Sequence, residues 1–171
     1  EYYDMLSFHN IKSQNITDKA PLNFRWMGFM KIFFPKSKII HCTRNAKDNC
    51  LSLFKNYFPS NELNWSYSQK DLGKYYNLYL NLMSFWKSKI GNFIFEANYE
   101  KIVNNQEEEI KKMIKFCNLE WDSNCLHYYK NKKTPIRTVS VTQARKPISS
   151  NSINSNMKYS KYMQELFSYL N

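Results

Sequence analysis

Apolar residues recur along much of this chain at the spacing of amphipathic helices, and two short runs have a compact apolar centre. The longest periodic stretch, residues 69–89, places its apolar side chains on one stripe and predicts a single long helix that ends at Gly91. The same spacing, together with helix start and stop signals, predicts further helices. They are expected at residues 2–11, 23–34, 47–57, 106–117, 122–129 and 157–170, with Asn23 capping the second.

The two apolar runs, residues 38–43 and 92–97, are typical of strands that are buried in a parallel sheet. Residues 14–19 are also compatible with a short strand, whereas residues 59–68 and the polar stretch 130–153 are predicted to be loops. Because a long helical crossover separates the two clear strands, the order predicts an α/β fold with a parallel sheet flanked by helices. A length of 171 residues suits one domain.

The chain is strongly basic, with 25 Lys and Arg against 14 Asp and Glu and a net charge of +11. Such a surface attracts polyanions, so nucleic acid, acidic polysaccharide, an anionic membrane and a small phosphorylated ligand are all open. A compositional bias of the source would explain the charge equally well. No apolar run approaches the roughly 20 residues of a membrane span.

The four cysteines form neither a CxxC pair nor a cluster with histidine, so no metal site is expected. Cys42 and Cys50 stand among apolar residues and are interpreted as core thiols, whereas Cys117 and Cys125 are either free or bridged. This usage favours a reducing compartment and therefore a cytoplasmic protein.

Ligands of open α/β sheets bind beyond the carboxyl ends of the strands, and Arg44 directly follows the first strand. Its planar donors suit a phosphate, and Ser52 in the next helix is within reach of the same group. The alternatives are a surface ion pair between Arg44 and Asp48, and a helix-face hydroxyl for Ser52.

Two further side chains follow predicted strands. Lys19 is suited to stabilising negative charge on a leaving oxygen, or alternatively to pairing with Asp18. Tyr99 is suited to stacking on an adenine base, or alternatively to packing in the core. His41 lies within a buried strand and is interpreted as a hydrogen-bonded core histidine.

Several motifs occur together in one order. They are Thr17-Asp-Lys-Ala-Pro21, Lys38-Ile-Ile-His-Cys-Thr-Arg44-Asn with Ser52, Asn98-Tyr99-Glu100, Leu119-Glu-Trp121 and Thr138-Val-Ser140-Val-Thr-Gln143-Ala-Arg145-Lys-Pro147. This set resembles sulfotransferases that use 3′-phosphoadenosine 5′-phosphosulfate (PAPS). It is most similar to bacterial domains that are joined to tetratricopeptide repeats and related to tyrosylprotein sulfotransferases. The resemblance covers about residues 16–162.

The resemblance implies one sulfotransferase domain over residues 1–171, with a fold like that of P-loop NTPases. The family's Gly-rich phosphosulfate-binding loop and its acidic general base are not found, so both are expected before Glu1, and the domain is expected to be incomplete at its N-terminus. The implied reaction moves a sulfuryl group from PAPS to a hydroxyl or amine and leaves PAP, without a metal. The acceptor is a protein, a carbohydrate or a small molecule, and a tetratricopeptide-repeat region is expected upstream.

The resemblance also implies roles for individual residues. Arg44 and Ser52 match the pair that holds the 3′-phosphate, Tyr99 matches the tyrosine near the adenine, and Lys19 matches a lysine beside the bridging oxygen of the transferred group. The loop 130–153 is implied to cover the nucleotide with Ser140, Gln143, Arg145 and Lys146. Ala46 replaces a proline of the family. Ser155 and Asn156 replace a basic and an aromatic residue, so the family's contacts are not carried over there.

Other classes compete with this interpretation. One is a non-catalytic module that binds nucleotides or polyanions without turnover. Another is a nucleic-acid binder, which the charge favours but no motif supports. A P-loop kinase shares the architecture, but the chain has no GxxxxGK[ST] sequence.

Overall fold

The computed structural model of the chain describes Asp4 and residues 15–58, 61–131 and 145–170. Within these ranges two parallel strands pair, β1 (Ile39–Thr43) and β2 (Ile94–Asn98). Ile39 lies opposite Ile94, and Thr43 lies opposite Asn98. The predicted α/β class and the parallel pairing are confirmed, because helices flank this small sheet and supply its crossover.

The helices are mostly where the apolar spacing predicts them. They are α1 (Met27–Phe33), α2 (Ala46–Phe54), α3 (Gln69–Ile90), α4 (Tyr99–Asn104), α5 (Gln106–Phe116) and α6 (Gln164–Ser168). Tighter 3₁₀ turns connect them at Pro21–Trp26, Asn61–Tyr67, Gly91–Phe93, Ser123–Lys130, Ser150–Ser152 and Ser155–Tyr162. The predicted helix at residues 2–11 lies outside the described residues except for Asp4.

Short polar side chains fix where three helices begin. Asn45, Ser68 and Asn98 each accept a hydrogen bond from the backbone N–H three residues further on, at the starts of α2, α3 and α4. Such caps satisfy N–H groups that have no partner inside the helix. Because Asn45 and Asn98 lie at the ends of β1 and β2, both strands turn into helices at the same edge of the sheet.

The long helix α3 connects the sheet to the C-terminal segment. Near its N-terminus Leu72 packs with Cys50, Leu51, Met163 and Leu166 in one buried cluster. Further along, Met83 packs with Met27 and with Ile94, the first residue of β2, in a second buried cluster. The C-terminal segment and the sheet therefore pack against the same helix, α3.

Three local expectations are wrong. Residues 15–20 form no strand, and all six side chains are exposed, so burial gives a strand no support. The helix expected from Asn23 begins as a 3₁₀ turn at Pro21, because proline is preorganised for a first helical position. Residues 61–67, expected as loop, form a 3₁₀ turn, beside which the Tyr67 hydroxyl bonds both backbone groups of Phe58.

Two helix ends also differ from expectation. Gly91 has right-handed backbone angles, φ −53° and ψ −41°, and opens a 3₁₀ turn toward β2 instead of forming a left-handed cap. The helix expected over residues 157–170 is divided at Met163, whose angles are not helical. All four cysteines are free, so the alternative of a bridge between Cys117 and Cys125 is not realised. Cys50 is a core thiol as expected, but the expectation for Cys42 is wrong, because its side chain on β1 is exposed. No described helix combines the length and apolarity needed to cross a bilayer.

Candidate functional site

The carboxyl ends of β1 and β2 bring Arg44 and Tyr99 together. Each residue directly follows one of the paired strand ends, Thr43 and Asn98. The guanidinium carbon of Arg44 lies 5.2 Å from the centre of the Tyr99 ring, which is a cation–π contact. The backbone N–H of Asn45 donates to Glu100 Oε1 at 2.8 Å and ties the two turns to one another.

A segment from near the C-terminus, residues 149–156, crosses this edge of the sheet. Arg44 Nη2 donates to the carbonyl of Ser152, and the Tyr99 hydroxyl donates to the carbonyl of Ser149 at 3.0 Å. The Nε atom of Arg44 is buried and has no hydrogen-bond partner among the described residues. The Arg44 guanidinium is thus held through Nη2, while its Nε–H has no acceptor among the described residues.

The alternative of an ion pair between Arg44 and Asp48 is wrong. Asp48 lies in the first turn of α2 and is fully buried, and both of its carboxylate oxygens accept from residues 154–156. Arg44 binds the same segment at Ser152. The two side chains therefore bind the same backbone segment, residues 149–156, and not each other.

Ser52 lies on α2 four residues after Asp48, so both occupy the same face of the helix. It is half-buried, and its hydroxyl makes no hydrogen bond to any described residue. Its backbone carbonyl accepts from Asn56 Nδ2 at 2.7 Å. Ser52 therefore lies one turn further along the face of α2 whose first turn carries Asp48 toward residues 154–156.

The other predicted site residues are not gathered in the same way. Lys19 is exposed, and among the described residues it makes neither the alternative ion pair with Asp18 nor a contact with Arg44. Arg145 is half-buried, whereas Lys146 is exposed and its carbonyl accepts from the Tyr128 hydroxyl at 3.0 Å. Ser140 and Gln143 lie outside the described residues.

A polar network extends from the buried His41 of β1 to the exposed side chains of Glu96 and Lys87. His41 is buried, and its Nε2 forms a 2.7 Å hydrogen bond with the Tyr79 hydroxyl, which confirms the interpretation as a core histidine. Its Nδ1 is 3.6 Å from Glu96, which pairs with Lys87 at 2.5 Å. Burial, the largest influence, lowers the pKa of His41 below its usual value; Glu96 opposes this shift and Lys87 adds to it. The hydrogen bond from Lys87 lowers the pKa of Glu96.

Two recesses lie away from the carboxyl edge. One, of about 830 Å³, is at the amino ends of the strands and is bordered by five lysines: Lys31, Lys36, Lys38, Lys87 and Lys89. The other, of about 420 Å³, is aromatic and contains Trp65 stacked on Tyr75 at 3.8 Å. In the described part of the chain, no group of three or more His, Cys, Asp or Glu side chains is arranged to hold a metal ion.

The contact of Asp48 with residues 154–156 was not predicted, because Asp48 was considered only as an alternative partner for Arg44. One signal was present. Asp48 stands three residues before Leu51, a core residue, and so lies on the buried side of α2. An acid on an apolar face requires hydrogen-bond donors. Those donors include Ser155 and Asn156, the two positions where the resemblance implies a basic and an aromatic residue instead.

Comparisons with known proteins point in one direction. Residues 1–123 match the family model described as the sulfotransferase family. An uncharacterized protein of Aquifex aeolicus (strain VF5) is 30% identical over 164 residues, which is 95% of this chain and 21% of that protein. A putative protein-tyrosine sulfotransferase of Caenorhabditis briggsae is 22% identical over 136 residues, 74% of this chain and 45% of that protein. The chain thus spans about a fifth to under a half of the length of the curated relatives that it matches.

Proposed function

The chain belongs to the sulfotransferase family, and on that premise we propose that it forms the nucleotide-holding side of an enzyme that moves a sulfuryl group from PAPS to a hydroxyl or amine acceptor. The observation that carries the proposal is the convergence of Arg44, Tyr99 and α2 at the carboxyl edge of the parallel sheet. This is where ligands of such sheets bind.

The donors at this edge fit a phosphate. Among the residues that the structure describes, Arg44 has a buried Nε–H without a partner, and Ser52 is a half-buried residue whose hydroxyl can serve as a second donor. A buried donor with no acceptor is costly, so its presence favours a ligand that supplies one. A phosphate dianion offers several acceptor oxygens and suits the fork geometry of a guanidinium.

PAPS, when bound, supplies the sulfuryl group together with PAP as its leaving group. In the proposal Arg44 and Ser52 bind the 3′-phosphate and so align the donor with the acceptor. Tyr99 holds the guanidinium on its ring and lies beside the adenine. Lys19 carries positive charge to the bridging oxygen, where negative charge grows in the transition state.

The proposal also covers the nucleotide-covering loop, the acceptor and the location of the protein. Residues 130–153, with Ser140, Gln143, Arg145 and Lys146, cover the nucleotide. The acceptor is a protein, a carbohydrate or a small molecule, and the proposal keeps the upstream tetratricopeptide-repeat region that the family resemblance implies. A cytoplasmic location is supported by the four unbridged cysteines.

Nucleotide binding is tested by calorimetry with PAP and the full-length gene product. Arg44→Ala removes charge-assisted hydrogen bonds of about 2–4 kcal/mol in total, which predicts a roughly 30- to 1,000-fold weaker affinity. Arg25→Ala is the matched control, because Arg25 also lies over a tyrosine ring, that of Tyr75 at 5.9 Å, and bonds its hydroxyl. An unchanged affinity of the Arg44 variant would contradict the proposal.

Transfer is tested with radiolabelled PAPS and a panel of phenolic peptides, oligosaccharides and small amines. The full-length protein is expected to label at least one class. Lys19→Ala is expected to lower kcat by at least about tenfold, with little change in PAP affinity, because its charge acts in the transition state. Tight PAP binding with no labelled product would instead identify the nucleotide-binding module without turnover.

A further inference from the structure

Asp48 is fully buried, yet its carboxylate is surrounded by hydrogen-bond donors. Oδ2 accepts from the backbone N–H of Asn154 at 2.7 Å. Oδ1 accepts from Ser155 Oγ at 3.0 Å and from the backbone N–H and Nδ2 of Asn156 at 2.7 and 2.8 Å. Burial raises the pKa of Asp48, but the hydrogen bonds from Asn156, Ser155 and Asn154 outweigh burial and lower the pKa overall.

This cage consists of neutral donors. Among the described residues no lysine or arginine forms an ion pair with Asp48. Removing a carboxylate from water is expensive, and a well-packed apolar side chain often stabilises a fold as well or better. An ionised acid at this position is therefore better explained by the geometry that it imposes than by stability.

Asp48 fixes the backbone segment 149–156 that crosses the candidate site. Asp48 binds residues 154–156, and the carbonyl of Ser152, two residues before them, receives Arg44 Nη2. Ser149, earlier on the same segment, receives the Tyr99 hydroxyl. Asn154 has φ 58° and ψ 20°, a left-handed turn that presents its N–H to Asp48.

We infer that Asp48 is a positioning residue: by holding residues 154–156 it fixes the backbone segment that orients Arg44, and it thereby prepares the guanidinium for the 3′-phosphate. Asp48 acts through the segment and does not touch the nucleotide. This inference rests on the proposed function, because it needs a phosphate at that place. It adds a residue and a mechanism of preorganisation to the site.

Positioning and charge repulsion predict opposite effects of removing the negative charge of Asp48. Asp48→Asn keeps the size of the side chain but replaces one acceptor oxygen with a donor, so part of the cage loses its acceptor. If positioning dominates, phosphate binding weakens. If electrostatic repulsion dominates, phosphate binding strengthens.

The test compares PAP with AMP, which lacks the 3′-phosphate, by calorimetry on the full-length protein. For Asp48→Asn the PAP affinity is expected to fall about 10- to 100-fold while AMP affinity changes less than about threefold, the range typical of supporting contacts around a site. Ser155→Ala, which removes one donor and preserves the rest, is expected to lose about three- to tenfold for PAP alone. Asp71→Asn is the matched control, an exposed acid in the first turn of α3, and is expected to change neither affinity.

The binding stoichiometry and circular dichroism report the folded fraction, so a folding defect is separated from a loss of affinity. Should Asp48→Asn fail to fold, Ser155→Ala decides the question by the same ratio. Equal losses for PAP and AMP, or a gain for PAP, would overturn the positioning role while the wild-type preference for PAP upholds the proposed function. If the wild-type protein itself does not prefer PAP to AMP, both fail.

Discussion

The contact between Gly73 of α3 and Tyr169 near the end of the chain gives a sharp test of how the C-terminal segment docks. Gly73 is buried, and a Cβ built on it would lie 2.6 Å from Tyr169 Cβ and 2.9 Å from Tyr169 Cγ. Carbon atoms pack at about 3.5–4.0 Å, so Gly73→Ala must push Tyr169 away by about 1 Å. The atom that must move is next to the backbone and cannot rotate aside.

The displacement also strains a hydrogen bond. Asn77, one turn after Gly73, donates from Nδ2 to the carbonyl of Tyr169 at 2.9 Å, and a shift of about 1 Å would break it. Overpacking costs about 1–3 kcal/mol and the lost hydrogen bond about 1 kcal/mol. Alanine regains about 1 kcal/mol of helix propensity, which leaves a net destabilisation of about 1–3 kcal/mol.

Urea unfolding followed by circular dichroism measures the change, and Gly91→Ala is the control. Gly91 also has right-handed helical angles, but no atom lies within 4 Å of the place that a Cβ would take there. Gly91→Ala is therefore expected to be neutral or to stabilise by up to about 1 kcal/mol. If Gly73→Ala proves as stable as the wild type, the C-terminal segment does not dock on α3 in this way.

Three shorter predictions follow. Because burial lowers the pKa of His41 below 6.5, the unfolded chain takes up the proton first, and stability is lost as the pH falls below 6.5. Urea titrations from about pH 7.5 to 5 should therefore show a smaller loss of stability for His41→Gln than for the wild type. Equal losses would refute this. Asn154 has a left-handed φ of 58°. Asn154→Gly should therefore change the free energy of unfolding by less than about 0.5 kcal/mol, whereas Asn154→Val should destabilise the fold by about 1–2 kcal/mol. Similar values for the two variants would contradict this expectation. Burial raises the pKa of both Cys42 and Cys50, that of Cys50 to about 12, but Cys42 is exposed and Cys50 is fully buried. Peptide mapping after alkylation of the native protein should therefore find Cys42 modified before Cys50, and the reverse order would count against the packing.

The long periodic elements were predictable because their signals are local. Residues 69–89 were expected as one helix, and α3 spans Gln69–Ile90, since its apolar stripe and the cap at Ser68 act within the segment itself. The two strands were found within two residues of their expected bounds for the same reason. The short helix Tyr99–Asn104 was missed, because six residues carry too little periodicity to be recognised.

The missed features depend on contacts between distant residues. Asp48 and Asn156 are 108 residues apart, and no local pattern pairs a carboxylate with an amide at that distance. At Ser155 and Asn156 the family's contacts were not carried over, yet the small polar side chains there form the cage around Asp48. The edge of the sheet was predictable from the order of strands, but the segment that crosses it was not.

The most direct test of the proposed nucleotide site is a crystal structure of the full-length protein with PAP. The 3′-phosphate is expected within about 3 Å of both the Arg44 guanidinium and Ser52 Oγ, beside the Tyr99 ring. A phosphate bound instead in the lysine-lined recess at the amino ends of the strands, with Arg44 still on the carbonyl of Ser152 alone, would contradict it.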